Sequence, residues 1–435
     1  MKYQRIKGTV DILPSETGKW IYLEEIIRNV MARFNYKEIR VPMFEATELF
    51  ARGIGEGTDI VNKEMYTFTD QGSRSITLRP EATASVVRCY IEESLGKKAP
   101  LTKVYYIGPM FRQEKPQKGR QRQFHQFGAE ALGSADPRID AEIIAVSVQV
   151  LKDCGINQYE VALNSVATPQ VRAKHREKLL EFVRPIASQF PEVDREKIDR
   201  NPLRLFDSKL ELTQQLLQGA PLLEEFYDDE VRRDFDIVKE TLTRLGIPYA
   251  SDPRLVRGLD YYTRTAFEIR SPLLGAQDSL SGGGRYDLLV EELGGDPTPA
   301  VGFAAGMERT LIVMEAIGKS DYGEKPLDVF VIGESEAERK QALLLAKQLR
   351  DSGKTVDLDY LARSQKAQMK EASRQNARFA LFVFADDIPG GRFQLKNLAS
   401  GDQQTLSVDE IIRSIRQEKS DPSLRPRQSS SSDEQ

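Results

Sequence analysis

The chain has 435 residues, 40% of them hydrophobic and 29% charged, so it can hold two or three domains, because single cores rarely grow past about 250–300 residues. A net charge of −4 advertises no global affinity for nucleic acid, and any such contact must be a local patch. Two cysteines without CxxC spacing (Cys89, Cys154) and two histidines (His125, His175) argue against a disulfide framework, a zinc cluster and a His-ligated metal. The N-terminus lacks the apolar core of a signal peptide, and no apolar stretch approaches the roughly 20 residues that span a bilayer. A reduced, soluble, cytoplasmic protein is expected.

Apolar positions at helical spacing from Trp20 to Phe34 predict an amphipathic helix over 18–35. A short strand at 38–42 ends at Pro42, a residue confined to edges and strand ends. Strands follow at 64–68 and 75–80, then a helix at 81–93. Residues 103–112 and 122–131 read as an antiparallel pair joined by a basic loop, followed by a helix at 140–153 and a strand at 158–164. From 170 to 250 the chain is charged, helix-prone and poor in β-branched runs, which predicts a helical insertion. Strand signals resume at 256–270 and 278–281. Gly282-Gly283-Gly284 is expected to begin a turn, with helices at 285–293 and, after the run Gly302–Arg309, to about 317. Beyond a linker at 321–326, alternating strands and helices predict a compact α/β domain over 327–417. The Ser/Pro-rich tail at 418–435 is expected to be disordered.

Two constellations carry the chemistry. The loop 112–122 holds five cations (Arg112, Lys115, Lys118, Arg120, Arg122) against one acid, Glu114. Guanidinium presents a planar fork suited to phosphate, although a solvated hairpin is the competing reading. Just beyond it, Gln126 and Glu130 lie four apart in a strand, hence on one face beside Arg112. A cation, an amide and a carboxylate on one surface suit a zwitterionic ligand plus phosphate. The second constellation, Arg257-Gly258-Leu259-Asp260-Tyr261-Tyr262, packs an arginine, an aspartate and two tyrosines into a segment whose composition predicts strand.

Phe111-Arg112-x-Glu114 resembles motif 2 of class II aminoacyl-tRNA synthetases, and Pro116-Gln117-Lys118-Gly119-Arg120-x-Arg122-Gln123-Phe124-His125-Gln126 resembles its histidyl-tRNA synthetase form. Arg257–Tyr262 and Ser281-Gly282-Gly283-Gly284-Arg285-Tyr286-Asp287 are similar to that family's two histidine motifs, and Ala300–Arg309 to motif 3. Lys7-Gly8-Thr9-x-Asp11-Ile12-Leu13-Pro14 resembles the N-terminal signature, and Pro42 with its flanks motif 1. Together these cover about 1–417.

The resemblance implies an α+β class II catalytic domain, an antiparallel sheet flanked by helices, in two parts (1–169 and 251–320). A helical insertion (170–250), a C-terminal α/β anticodon-binding domain (327–417) and the tail complete it. The implied activity is histidine–tRNA ligation: L-histidine and ATP give histidyl-adenylate and pyrophosphate, and histidine passes to the 3′-terminal adenosine of tRNA-His. ATP would act as its Mg²⁺ complex, with no tightly bound cofactor, in a homodimer. By the same resemblance, Arg112 would bind the ATP α-phosphate and the amino-acid carboxylate, with Arg257 beside that phosphate; these two are the catalytic candidates. Glu114 would lie near the adenine amino group, and Arg120 and Arg309 near the triphosphate. Glu81, Thr83 and Gln126 would take the α-ammonium, and Glu130, Tyr261, Tyr262 and Tyr286 the imidazole. Gln117 would approach the 5′ guanosine of the tRNA, and Asn201-Pro202-Leu203-Arg204 the acceptor stem. Ala82 stands where glycine is commoner, which would be strained if that position needed φ > 0. The alternative, a non-catalytic regulatory paralogue of histidine biosynthesis, typically lacks the C-terminal domain and has eroded arginines, whereas Arg112, Arg257 and Arg309 are present here.

Overall fold

A computed structural model describes residues 3–55, 58, 60–117, 119–275, 278–323 and 326–417. Lys118, Glu324 and Lys325 of the expected linker, and the expected disordered tail lie outside the described residues. The chain divides into two compact units, Met1–Tyr322 and Gly323–Gln435.

The first unit contains β1 (Lys37–Glu38), β2 (Phe44–Ala46), β3 (Tyr66–Thr69), β4 (Ser75–Leu78), β5 (Thr102–Phe111), β6 (Gln123–Leu132), β7 (Glu160–Ser165), β8 (Ala250–Ser251), β9 (Thr265–Arg270), β10 (Ser279–Arg285) and β11 (Ala300–Gly306). Eight form one sheet in the order β1-β5-β6-β11-β10-β9-β7-β8, antiparallel through its centre; β2-β4-β3 form a small separate sheet. Alternation along β6 decides what each face does. Phe127, Ala129 and Ala131 point into a core built by the helices Pro14–Arg33, Arg138–Asp153 and Met307–Ala316. Gln126, Gly128 and Glu130 therefore point to the other face.

That other face is apolar in part, where Val104, Tyr106, Leu132, Ala266 and Ala300 cluster with Val86, Val87 and Tyr90 of the helix Thr83–Glu92, and elsewhere it is nearly bare. In register with Gly128 stand Ala304, then Gly282; in register with Glu130 stand Gly302, then Gly284. The expectation that Gly282-Gly283-Gly284 begins a turn is corrected: all three lie inside β10, paired on both sides. Glycine's turn propensity yields here to packing, because a Cβ on Gly283 would overlap the Gly302 carbonyl and one on Gly284 the Thr265 carbonyl. The predicted strand at 256–264 is likewise absent, and strand begins only at Thr265. Backbone groups in and beside it are taken outside any ladder: Leu255 O by the Asn164 side chain (2.9 Å), Asp260 N by Ile54 O (3.2 Å) and Tyr262 O by the Arg172 side chain (2.8 Å).

Between β7 and β8 the chain is helical, including Pro169–Val183, Glu192–Arg200, Glu211–Leu216 and Asp229–Arg244. The second unit contains β12 (Val329–Ile332), β13 (Val356–Leu358), β14 (Phe379–Phe382), β15 (Arg392–Asn397) and β16 (Gln403–Ser407), in the order β13-β12-β14-β15-β16. Helices Glu336–Asp351 and Val408–Gln417 pack on one face and Gln365–Arg374 on the other. Among the described residues no helix is long and apolar enough to cross a membrane.

Candidate active site

The glycine-lined part of that face floors a cavity of about 760 Å³. Arg112, Glu114, Arg120, Gln126, Arg257 and Arg309 line it, as do Glu81, Thr83, Tyr261, Tyr262 and Tyr286. Arg112 follows the end of β5. Its Nε donates to Pro80 O at 2.9 Å and its guanidinium lies 5.2 Å from the Phe124 ring, leaving the fork beside the cavity. Glu114 sits between Arg112 (3.8 Å) and Arg120 (3.1 Å). The loop tip closes through paired Gln117 and Arg120 backbone bonds, and Gln117 is exposed rather than lining the cavity. The N-terminal signature braces this loop: Arg122 N donates to Gly8 O (2.7 Å), and a Cβ on Gly8, at φ +93°, would come within 2.9 Å of Arg122 and Pro116.

Arg309 donates to two backbone carbonyls, Gly119 O at 3.1 Å and Ser279 O at 2.7 Å. Burial and then the neighbouring Arg120 lower its pKa. Arg257 is fixed by Glu268, whose Oε1 accepts from Nη1 at 2.8 Å. Burial disfavours its charge, but Glu268 outweighs that and its pKa is raised. Its guanidinium lies where a Cβ of Gly282 would be, so that glycine makes room for it.

Deeper, Glu130 is fully buried. Tyr286 donates to its Oε2 (2.5 Å) and Thr83 to its Oε1 (2.8 Å). Burial pushes its pKa to about 8 against the two hydrogen bonds, and nearby Glu81 adds to the rise. Gly302 is to Glu130 what Gly282 is to Arg257: a Cβ there would overlap the carboxylate. Tyr261 packs against Tyr262 (4.8 Å) and Tyr286 (5.6 Å), so the aromatics that suggested strand form a ring cluster at the cavity instead. Gln126 Oε1 is buried without a hydrogen-bond partner. Glu81 accepts from Thr83 N (2.6 Å) and Ala84 N (2.9 Å) at the start of the helix Thr83–Glu92, and burial raises its pKa. Ala82 has φ −108° and ψ −18°, so alanine carries no left-handed strain there.

The structure thus brings every expected histidine- and ATP-site residue to one cavity or, for Glu130, directly beneath it. Sequence reasoning missed Glu268, whose signal was a carboxylate two residues from Arg270 on one strand face. It also missed Phe206, Asp207, Lys209 and Gln214, which enter the cavity wall from the helical segment. Glu308 accepts from the His125 backbone N–H (2.9 and 3.0 Å), and the His125 ring meets Trp20 edge-on at 4.8 Å. Asn201 and Arg204, expected at the acceptor stem, are bonded to the loop that carries Arg257.

An antiparallel sheet that packs helices on one face and gathers arginines and carboxylates over glycines on part of the other has the form of a class II aminoacyl-tRNA synthetase. A profile of histidyl-tRNA synthetases matches residues 8–310, and one of anticodon-binding domains matches residues 328–418. The chain belongs to the histidyl-tRNA synthetase family. It is 48% identical over 412 residues to a histidine–tRNA ligase of Synechocystis sp., covering 95% of this chain and 92% of the relative. A histidine–tRNA ligase of Chloroherpeton thalassium is 47% identical, with 96% and 99% covered. The crystal structure of apo S. aureus histidyl-tRNA synthetase superposes with a TM-score of 0.81 at 37% identity, covering 95% of this chain and all of that one.

Proposed function

We propose that this chain is a histidine–tRNA ligase that works in two steps. The carboxylate of L-histidine attacks the α-phosphorus of ATP, the bond to pyrophosphate breaks, and histidyl-adenylate forms. A hydroxyl of the 3′-terminal adenosine of tRNA-His then attacks the histidyl carbonyl and AMP leaves. The observation that carries this reading is the stack on one sheet face: Glu130, held by Tyr286 and Thr83, lies below, with Arg112 and Arg257 beside the cavity above it.

Arg112 and Arg257 flank the α-phosphate and offset charge that develops in the in-line displacement; no protein nucleophile is needed. Arg120 and Arg309 hold the outer phosphates, and Glu114 accepts from the adenine amino group. Mg²⁺ arrives on the phosphate oxygens as part of the ATP substrate. Gln126, with its unpartnered oxygen, takes the α-ammonium beside Glu81 and Thr83. Glu130, Tyr261, Tyr262 and Tyr286 read the imidazole, whose nitrogens need polar partners at both ends; a site of this kind rejects analogues by about 10⁴–10⁵. Gln117, exposed at the loop tip, meets the 5′ guanosine of the tRNA. The helical segment 170–250 is an insertion between the two parts of the catalytic domain, and 327–417 binds the anticodon. The protein is cytoplasmic and homodimeric: the small sheet exposes Phe44 (54%) and Phe68 (48%) near Pro42, an apolar surface that a second copy would cover.

The test is histidine-dependent ATP–pyrophosphate exchange, with the other nineteen amino acids as controls. Exchange with histidine alone is expected. No exchange from a folded protein that still binds histidine would overturn the ligase reading in favour of the regulatory one.

A further inference from the structure

Two arginines of the helical segment reach across to the loop that carries Arg257, Tyr261 and Tyr262. Arg204, in the turn Pro202–Leu205, donates through Nη2 to Asp260 Oδ1 (2.9 Å) and to Gly258 O (3.1 Å), and Asn201 Nδ2 adds a bond to the same Asp260 oxygen (3.2 Å). The Arg204 side chain is only 14% exposed. Arg172, on the helix Pro169–Val183, donates through one Nη1 to the carbonyls of Val166 (3.2 Å), Ala167 (3.1 Å) and Tyr262 (2.8 Å). The loop is therefore gripped at both ends, at Gly258 next to Arg257 and at Tyr262 itself. On its far side Asp260 lies beside Gly55, where a Cβ would come 2.9 Å from its own.

We propose that Arg172 and Arg204 are positioning residues for histidine activation: the helical segment, through them, holds Arg257 and the tyrosine pair at the cavity. Irregular loops keep a reactive geometry only when their carbonyls and charges are tied to a scaffold, and a misplacement of about 1 Å can cost about 10²-fold in rate. The proposal rests on the reading above that Arg257 acts at the α-phosphate. It assigns the helical segment a part in the first step, which involves no tRNA.

The test measures histidine-dependent exchange by full-length Arg204→Ala and Arg172→Ala, each alone and combined with Arg257→Ala. Arg204→Ala should lower kcat about 10-fold or more with histidine KM within about 3-fold, and Arg172→Ala should raise histidine KM about 10-fold through Tyr262. On the Arg257→Ala background the added loss from Arg204→Ala should shrink below about 2-fold, since it acts through the missing group. A full further loss on that background, or parental kinetics in both single variants, overturns the proposal. If Arg204→Ala does not fold, Arg204→Lys keeps a charge but has a shorter reach and lacks the guanidinium geometry that serves Asp260 and Gly258 together; its kcat should fall between those of parent and Arg257→Ala, and a parental kcat overturns the proposal. Parental kcat in Arg257→Ala itself would instead remove the reading beneath the proposal, and the proposal with it.

Discussion

The two sheets of this protein differ in how they use their second face. In the second unit both faces are filled: Val329 and Val331 pack into one apolar cluster, Phe330 and Ile332 into the other, and Phe379 to Phe382 repeat the alternation on β14. Its buried polar groups sit at strand ends, where Asp328 pairs with Arg378 (3.0 Å) and Gln368 satisfies the backbone of Gly333. In the first unit one face is filled, and the other joins apolar packing (Val104, Tyr106, Leu132 and Ala266, clustered with the helix Thr83–Glu92) to a glycine-lined stretch where Arg257 and Glu130 occupy the space that side chains would take. A sheet becomes a reaction floor by giving up apolar packing over part of one side. The remaining structure must then hold buried charge in place.

Four substitutions would break or sharpen that contrast. Phe330→Ala, in the filled sheet, should cost about 3–5 kcal/mol of stability in the second unit while histidine-dependent exchange by the folded protein is unchanged; urea melts beside exchange assays would read this. Gly282→Ala, in the stripped sheet, should do the reverse. It displaces Arg257 and should lower exchange kcat about 10²–10³-fold, with a much smaller shift in the melt. Glu130→Gln should lower kcat/KM for histidine about 10–100-fold, the range for mispairing one buried hydrogen-bonding group. It also has a pH signature. The Glu130 carboxyl is raised from 4.5 to about 8, so its contribution to the stability of the ligand-free protein is full below about pH 4.5 and is lost as pH rises through about 8. Melts of Glu130→Gln across that window should lack this fall; an unchanged slope would remove Glu130 as its source. Smallest, Ser335→Ala opens the capping box with Glu338 on the helix Glu336–Asp351 and should cost about 1 kcal/mol, visible only in the melt.

Where sequence carried local information, it located elements well. The helix expected over 18–35 is Pro14–Arg33, beginning four residues earlier, and the hairpin around the basic loop matches β5 and β6 to within a residue at each strand end. The motif residues could be placed because their types and order resemble a known family, and the structure gathers them at one cavity. What could not be read depends on partners distant in sequence. The purpose of Gly282 and Gly302 becomes visible only when Arg257 and Glu130 stand over them. The 255–264 loop has strand composition, yet its carbonyls are held by arginine and asparagine side chains that no periodicity reveals. β16 escaped because Gln403–Ser407 is a largely exposed edge with no apolar alternation, and its neighbour Val408–Gln417 went with it.

Trp20 is the chain's only tryptophan. It lies edge-on to His125, whose backbone is bonded to Glu308 in the cavity wall. Tryptophan emission from this protein therefore originates at a single place, one residue removed from the lining of the site. The native chain carries its own optical reporter, and titrations with histidine or ATP can be followed without a label on a signal undiluted by the rest of the fold.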